Sequence, residues 1–275
     1  MNATIHGTIP IGSGMGSSGA FEVAIAFTLK ELNSINISKV EMAKICFRAE
    51  RDFLEIETGI MDQFTSVFGE KDSALFIDCR SLDFEVINFP SNEIKLLVID
   101  SNVKRAAKSA LNKRKYECNK AIDILESNNI KIEALRDLDP DIYEKVKGFF
   151  PKTIAKRVKH IVYENQRVLL AKKALENGDL NALGRFMNES HVSLSRDYEV
   201  SCKELDEIFN IARNLKGVYG VRMTGAGFGG CVIALINKYY EKYLIEKISK
   251  QYSLRVGKNA SIYPCDISNG ALRLN

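Results

Sequence analysis

The 275 residues include 39 Lys and Arg against 35 Asp and Glu, giving a formal net charge of +4, and 45% of them are hydrophobic. This balance is typical of a globular protein with one large domain or two modest ones. The basic residues are spread along the chain without a basic tail, which argues against a nucleic-acid partner. No long apolar run and no signal-peptide pattern occurs, so we expect no membrane partner and no secretion.

The cysteines and histidines give no sign of a metal site. Six cysteines lie about 30 or more residues apart, without a C-x-x-C pair or nearby histidine pairs. This spacing is typical of reduced, packed thiols and predicts a cytoplasmic protein. The histidines, His6, His160 and His191, have no metal-spaced partner, so we expect surface or helix-packing roles for them.

The beginning of the chain predicts one strand and three helices. A short strand is expected at 4–8, followed by a glycine-rich loop and by a helix over about 18–32 with apolar residues at helical spacing. Ser38, with Glu41 three residues later, predicts a capping box for a second helix that runs to about residue 56. The segment IMDQFTSVFG predicts one further helix, ended by its glycine.

The rest of the chain predicts strands and then a long helical block. The segments SALFIDC, FEVINF and EIKLLVID predict three strands. Helices are expected over roughly 104–214, with breaks near Pro140 and Pro151. After them come two strands around a glycine turn, a helix over about 239–251 and a last strand, ASIYPC. Because strands and helices do not alternate regularly, the predicted fold class is α+β and not a doubly wound sheet.

A glycine-rich loop precedes the first helix, in the stretch GTIPIGSGMGSSGAF. Glycines allow a ligand to approach the backbone, and the N–H groups of a helix N-terminus bind anions. The Walker A pattern fails, because Ala20 and Phe21 stand where Lys and Ser/Thr are required, and Ser17 breaks the dinucleotide pattern. Two interpretations stay open: a lysine-free phosphate loop whose serines can also bind Mg²⁺, or a glycine-rich turn with a serine N-cap.

A second glycine run, TGAGFGG, occupies residues 224–230. It matches G-x-G-x-x-G, but the strand-like segment CVIALI follows it where a Rossmann turn would need a helix. The pattern therefore predicts a tight strand-loop-strand. We expect its backbone to pack close to the first loop or to a ligand, with a plain hairpin as the alternative.

Three stretches together resemble the GHMP family of small-molecule kinases and, within it, the galactokinases. PIGSGMGSSGA is similar to the phosphate loop P-x-x-x-G-L-G-S-S-A-A, with Met15 for Leu and Gly19 for Ala. TGIMDQFTSVFGEKDSALFIDCRSL resembles the segment around C-G-I-M-D-Q, with Thr58 for Cys. GVRMTGAGFGGCVIAL resembles the third family motif. Two helical stretches, AKRVKHIVYENQRV and GRFMNESHVSLSRDYEVS, extend the resemblance over about 5–264.

The resemblance implies a two-lobed GHMP kinase fold. A partial ribosomal-protein-S5-like, ATP-binding N-terminal lobe is expected at 1–72, and a ferredoxin-like C-terminal lobe at 73–275. ATP and Mg²⁺ would lie between the lobes, and the γ-phosphoryl group would pass to the anomeric hydroxyl of galactose or a related sugar, giving galactose 1-phosphate from galactose. The expected chemistry is therefore that of a sugar kinase.

The resemblance also implies a role for particular residues. Asp62 would be the catalytic carboxylate, since a carboxylate can take the proton of an attacking hydroxyl or orient it. Ser17 or Ser18 would bind Mg²⁺. The residues implied for the ATP phosphates are Gly12, Gly14, Met15, Gly16, Ser17 and Ser18. Those implied for the loop beside the phosphates and the sugar are Thr224, Gly225, Ala226 and Gly227.

The sequence departs from the galactokinase pattern in two places. The family's G-R-x-N-x-x-G-E-H-x-D segment does not occur in these 275 residues. We therefore expect a truncated or split galactokinase, or a misplaced start codon, with a separate N-terminal fragment as a partner; without it, a sheet edge and part of the core would be uncovered. Leu111 stands at the position of the family's sugar-contacting tyrosine and cannot make that hydrogen bond. Helical spacing points Tyr116 elsewhere.

Two other functions stay open. A non-catalytic galactokinase-like protein that binds ATP or sugar would keep the same glycine loops. A GHMP kinase acting on mevalonate or homoserine would share the fold, but the C-R-S-L and M-D-Q contexts point away from it.

Overall fold

A computed structural model describes residues 2–10, 14–55, 59–103 and 107–274, and within these ranges nine α-helices and six β-strands form an α+β fold. The helices are α1 (Ser17–Leu32), α2 (Lys39–Arg48), α3 (Met61–Phe68), α4 (Ala107–Ser127), α5 (Pro140–Val146), α6 (Lys152–Glu176), α7 (Leu180–Ser193), α8 (Lys203–Ala212) and α9 (Glu241–Val256). The strands are β1 (Ser73–Ile77), β2 (Phe84–Asn88), β3 (Ile94–Asp100), β4 (Val218–Met223), β5 (Cys231–Asn237) and β6 (Ser261–Cys265). Among the described helices, none combines the length and the apolar character that crossing a bilayer needs.

The strand predicted at 4–8 is wrong. Residues 2–10 have an irregular backbone and are mostly exposed. An isolated extended segment gains no ladder hydrogen bonds, and none of the described strands pairs with it. The apolar residues of this segment therefore do not produce a strand.

Helices α1, α2 and α3 pack around a small apolar core in which Val23, Met42 and Phe64 are at most 2% exposed. Ser38 caps α2 as predicted, because its Oγ accepts the Glu41 N–H at 3.1 Å. The Glu41 carboxylate pairs with Arg48 at 3.4 Å and does not complete the predicted capping box. The predicted end of this helix near residue 56 is too late. Helix α2 ends at Arg48, and the chain continues from there only as a π-helical turn (Ala49–Phe53).

The same core receives residues from distant parts of the chain. The β1–β2 hairpin brings Phe84 to within 5.4 Å of the Phe64 ring, measured between centroids. The segment near the C-terminus returns to the end of α3, where the Gly270 N–H donates to the Gly69 carbonyl at 2.7 Å. The packing thus joins residues from both sides of position 72, and the domain boundary drawn there stays a prediction.

The four-stranded antiparallel sheet has the order β4-β5-β3-β6. Helices α8 and α9 pack on one of its faces, and α7 packs on the other. Along β3, Leu97 and Ile99 face the core shared with α8 and α9, while Ile94 and Leu96 face α7. This alternation follows from the two-residue period of a strand. Helix α7 lies directly on β4, since a Cβ placed on Gly184 would come within 2.0 Å of the Tyr219 carbonyl oxygen.

A separate helical core lies between α4, α5 and α6, where Leu125 and Val158 are fully buried. The two proline breaks are confirmed: Pro140 is the first residue of α5, and Pro151 precedes α6. A π-helical turn (Leu194–Tyr198) continues α7 and leads into α8.

Candidate active site

The glycine loop ends at the N-terminus of α1 in a left-handed conformation. Gly14 and Gly16 have φ of 88° and 68°, values that a residue with a Cβ rarely adopts. Gly16 is itself the N-cap, with no side-chain cap, so the alternative of a serine N-cap is wrong. Ser17 and Ser18 are the first helical residues instead, and their N–H groups belong to the turn that lacks intrahelical acceptors. Of the other predicted phosphate-binding residues, Met15 is half-buried, and Gly12 lies outside the described residues.

The structure places Asp62 against this loop. Asp62 is exposed in the first turn of α3. A Cβ placed on Gly16 would lie 3.3 Å from Asp62 Oδ2, and one placed on Gly19 would lie 3.1 Å from Asp62 Cβ. The bare backbone at these two glycines therefore lets α3 approach α1. Two separate sequence motifs meet here, and the candidate carboxylate lies beside the candidate phosphate loop.

Two glutamates that the sequence analysis missed lie behind Asp62. The Gln63 Nε2 group donates to Glu22 Oε2 at 3.1 Å and to Glu50 Oε2 at 3.0 Å. Gln63 is fully buried, and Glu50 is 6% exposed. Burial, reinforced by the nearby Glu50 carboxylate and opposed by the Gln63 hydrogen bond, raises the pKa of Glu22 from 4.5 to about 7. The carboxyl groups of Glu22 and Glu50 therefore lie close together, with limited access to water.

This acidic pair has the ligand chemistry that Mg²⁺ prefers. Ser18 and Glu22 lie four residues apart on α1, and this spacing places them on the same helix face. Hydroxyl and carboxylate oxygens are typical Mg²⁺ ligands. The buried Gln63 Oε1 has no hydrogen-bond partner among the described residues. No group of three or more His, Cys, Asp or Glu side chains suited to a metal occurs in that part of the chain. A cation here would therefore need serine or phosphate oxygens as well.

The second glycine run forms the turn between β4 and β5, as predicted. The four glycines in it all have positive φ, and the Thr224 N–H donates to the Cys231 carbonyl at 3.0 Å. One close approach of this loop is to the segment that contains Val200, and its packing against the first loop or a ligand stays a prediction. A Cβ placed on Gly227 would lie 2.1 Å from the Val200 carbonyl oxygen, and the Phe228 N–H donates to that oxygen at 2.7 Å. The loop therefore packs against the segment between α7 and α8.

The histidines have the packing and surface roles that were predicted. His6 is exposed, whereas His160 and His191 are 5% and 1% exposed within helices. The His191 Nδ1 atom accepts the Met223 N–H at 3.0 Å, and its Nε2 lies 3.2 Å from Asp206 Oδ1. His191 thus joins α7 and α8 to the last residue of β4, just before the second glycine loop.

On α4, Leu111 is half-buried and Tyr116 is 65% exposed. The two side chains point in different directions, as the five-residue spacing predicts. Tyr116 therefore does not replace a hydrogen-bonding group at position 111.

The sequence and the fold both have known relatives. The GHMP kinases N terminal domain family matches residues 1–70, and the GHMP kinases C terminal family matches residues 171–254. A galactokinase from Clostridium acetobutylicum is 39% identical over 272 residues, which cover 98% of this chain and 70% of that protein. The chain belongs to the galactokinase family of GHMP kinases.

Two further galactokinases support this membership. A galactokinase from a Roseiflexus species is 40% identical over 271 residues, which cover 98% of this chain and 69% of that protein. The crystal structure of Lactococcus lactis galactokinase complexed with galactose superposes with a TM-score of 0.92 at 34% identity, covering 97% of this chain and 69% of that one. The predicted GHMP kinase fold is confirmed. A mevalonate kinase structure, at 24% identity and a TM-score of 0.61, shares the fold.

Proposed function

We propose that this protein is a sugar kinase that transfers the γ-phosphoryl group of ATP to the anomeric hydroxyl of galactose or a related sugar. The observation that carries the proposal is the contact between Asp62 and the glycine loop at Gly16 and Gly19. The relatives named galactokinase, and the galactose complex of one of them, support the choice of substrate class.

The glycine loop would hold the ATP phosphates. In the first turn of α1, the Ala20 N–H already donates to the Gly16 carbonyl at 3.0 Å, which leaves the N–H groups of Ser17, Ser18 and Gly19 as donors for a ligand. The partial positive charge of the helix N-terminus adds to their attraction for an anion. A lysine is not needed for binding of this kind, which agrees with its absence from the loop.

Mg²⁺ would be held by a hydroxyl of Ser17 or Ser18 together with the carboxylates of Glu22 and Glu50. The ion would neutralise charge on the phosphates during transfer. Burial, reinforced by the neighbouring Glu50 carboxylate, raises the pKa of Glu22 to about 7, and a cation bound there would favour the charged carboxylate.

Asp62 would act on the sugar. Its exposed carboxylate, beside the glycine loop, would accept a hydrogen bond from the anomeric hydroxyl and take its proton as the new P–O bond forms and the bond between the γ-phosphorus and ADP breaks. Loop amides and positioning would supply most of the remaining rate enhancement, as in other phosphoryl transfers. None of the six cysteines, all of which lie within the described residues, forms a disulfide, and this supports a cytoplasmic location.

A phosphoryl-transfer assay with ATP, Mg²⁺ and a panel of hexoses tests the proposal. We expect galactose or a close relative to be phosphorylated, and we expect Asp62→Asn to reduce kcat by about 10²–10⁴-fold while ATP affinity stays within a few-fold. Asp123→Asn, at an exposed position on α4, is the control and should retain full activity. ATP binding without transfer to any sugar would favour the non-catalytic alternative, and a fully active Asp62→Asn would contradict the role of Asp62.

A further inference from the structure

Two arginines bind the carbonyl groups at the end of the π-helical turn that follows α7. The Arg157 Nη1–H donates to the Asp197 carbonyl at 2.6 Å. The Arg114 Nε–H donates to the Tyr198 carbonyl at 2.6 Å, and its Nη2–H donates to the Glu199 carbonyl at 3.1 Å. The last carbonyls of a helix have no intrahelical donor. Side chains from α4 and α6 therefore fix three successive backbone carbonyls of this segment.

The charges of these arginines are neutralised within the same cluster. Arg114 and Arg157 are 8% and 1% exposed, and Glu117, at 6%, accepts a hydrogen bond from each of them at 2.7 Å. The Glu199 carboxylate accepts a further one from Arg157 Nη2 at 2.7 Å. Buried charges are stable only when they are paired and hydrogen-bonded. The planar guanidinium groups have fixed donor directions, so the cluster holds the backbone in one orientation.

The segment held by this cluster is the one on which the second glycine loop rests. Glu199 has a left-handed φ of 55°, and the next residue, Val200, is 3% exposed. The Val200 carbonyl accepts the Phe228 N–H at 2.7 Å and leaves no space for a side chain at Gly227. A shift of the arginine-bound carbonyls would therefore move the surface that supports residues 224–230.

We propose that the cluster of Arg114, Glu117 and Arg157 is a positioning element that sets the 224–230 loop for phosphoryl transfer. The inference rests on the proposed function and on the family resemblance, which implies that residues 224–227 lie beside the phosphates and the sugar. Arg114 also lies one helical turn after Leu111, so this arginine connects the α4 face that contains position 111 to the segment on which the loop packs. Small displacements of positioning groups have large effects on rate, since an error of about 1 Å can reduce it about 10²-fold.

Arg114→Lys is the sharpest variant, because it keeps a positive charge beside Glu117 but cannot reach two carbonyls with a planar fork. Arg136→Lys is the matched control, since Arg136 also makes two hydrogen bonds, at 2.7 and 2.6 Å, but to the Asp78 carboxylate of the β1–β2 turn. Hydrogen exchange of the peptide containing Phe228 reports the loop directly. We expect it to be about tenfold faster in Arg114→Lys, equal to about 1.4 kcal/mol, and unchanged in the control.

The kinetic measurement distinguishes a positioning role from a purely structural one. We expect kcat/KM for the sugar to fall at least about tenfold in Arg114→Lys, at a temperature where circular dichroism shows the variant to be folded. Unchanged exchange at Phe228 overturns the proposal, and so does faster exchange with unchanged kcat/KM. If Arg114→Lys does not fold, Glu199→Gln serves instead, because the Glu199 side chain is 43% exposed. If the wild-type chain phosphorylates no sugar, the proposed function is contradicted. The exchange measurement still tests separately whether Arg114 holds the segment on which residues 224–230 pack.

Discussion

The glycine at position 16 offers a direct test of the proposed phosphate loop, through Gly16→Ala. Gly16 has a φ of 68° at the N-cap of α1, and a Cβ there would lie 3.3 Å from Asp62 Cγ and Oδ2. Gly178 also has a φ of 68°, but nothing lies within 4 Å of the position of its Cβ. Gly178→Ala is therefore a control that introduces the same backbone strain without the Asp62 contact.

The expected magnitudes differ between stability and activity. An alanine in the left-handed region costs about 1–2 kcal/mol. For a chain of this size that lowers the Tm by about 2–4 °C per kcal/mol, to a similar extent in both variants. In Gly16→Ala the new methyl group also crowds Asp62, since 3.3 Å is shorter than the optimal carbon contact of about 3.5–4.0 Å. The carboxylate has to move by a few tenths of an ångström, and the first-turn amides are displaced as well.

Titration with ATP, together with the transfer assay and thermal unfolding, measures these effects. We expect Gly16→Ala to lose about tenfold or more in ATP affinity and in kcat, while Gly178→Ala retains both. Equal ATP affinity and equal kcat in the two variants, at equal losses of Tm, would refute the role of the left-handed glycine in the proposed nucleotide site.

Three further outcomes are expected. Burial lowers the pKa of His160 from 6.5 to about 4. The neutral imidazole therefore contributes its full stabilisation above pH 6.5, and the free energy of unfolding falls by up to about 3 kcal/mol as the pH decreases toward 4. Urea unfolding of His160→Gln should lack this pH dependence. Leu125→Ala, at a fully buried position, should lower the free energy of unfolding by about 2–5 kcal/mol, while Leu254→Ala, at 77% exposure, should change it by less than about 0.5 kcal/mol. Gly227→Ala places a methyl group 2.1 Å from the Val200 carbonyl oxygen, so it should lower the Tm more than a control such as Gly257→Ala, whose added Cβ meets nothing within 4 Å.

Most elements of the fold are predictable from local sequence signals. Apolar spacing predicts α1, and Ser38 with Glu41 predicts the start of α2, because a helix and its cap form between residues at most four positions apart. The prolines predict the starts of α5 and α6 in the same way. The strand at 4–8 was wrong because a strand is defined by its neighbour, and local composition does not contain that information.

The candidate site is predictable in its parts but not in its assembly. The glycine patterns and the M-D-Q triplet identify Gly16 and Asp62 through their resemblance to a family. They do not show that Glu22 and Glu50 share the amide of Gln63, since neither acid belongs to a motif by itself. The spacing of Ser18 and Glu22 along one helix face was the one available signal for this pair.

The sequence by itself thus determined the fold class, the family and the identity of the two glycine-rich loops, because glycine patterns and hydrophobic periods are properties of neighbouring residues. The tertiary structure alone decided which distant groups meet. It placed Asp62 against the first loop. It also packed the second loop against the Val200 carbonyl, in the segment that the buried arginine cluster holds. Such contacts depend on the packing of helices and sheet, in which residues far apart in the chain are held within hydrogen-bonding distance by the burial of apolar side chains.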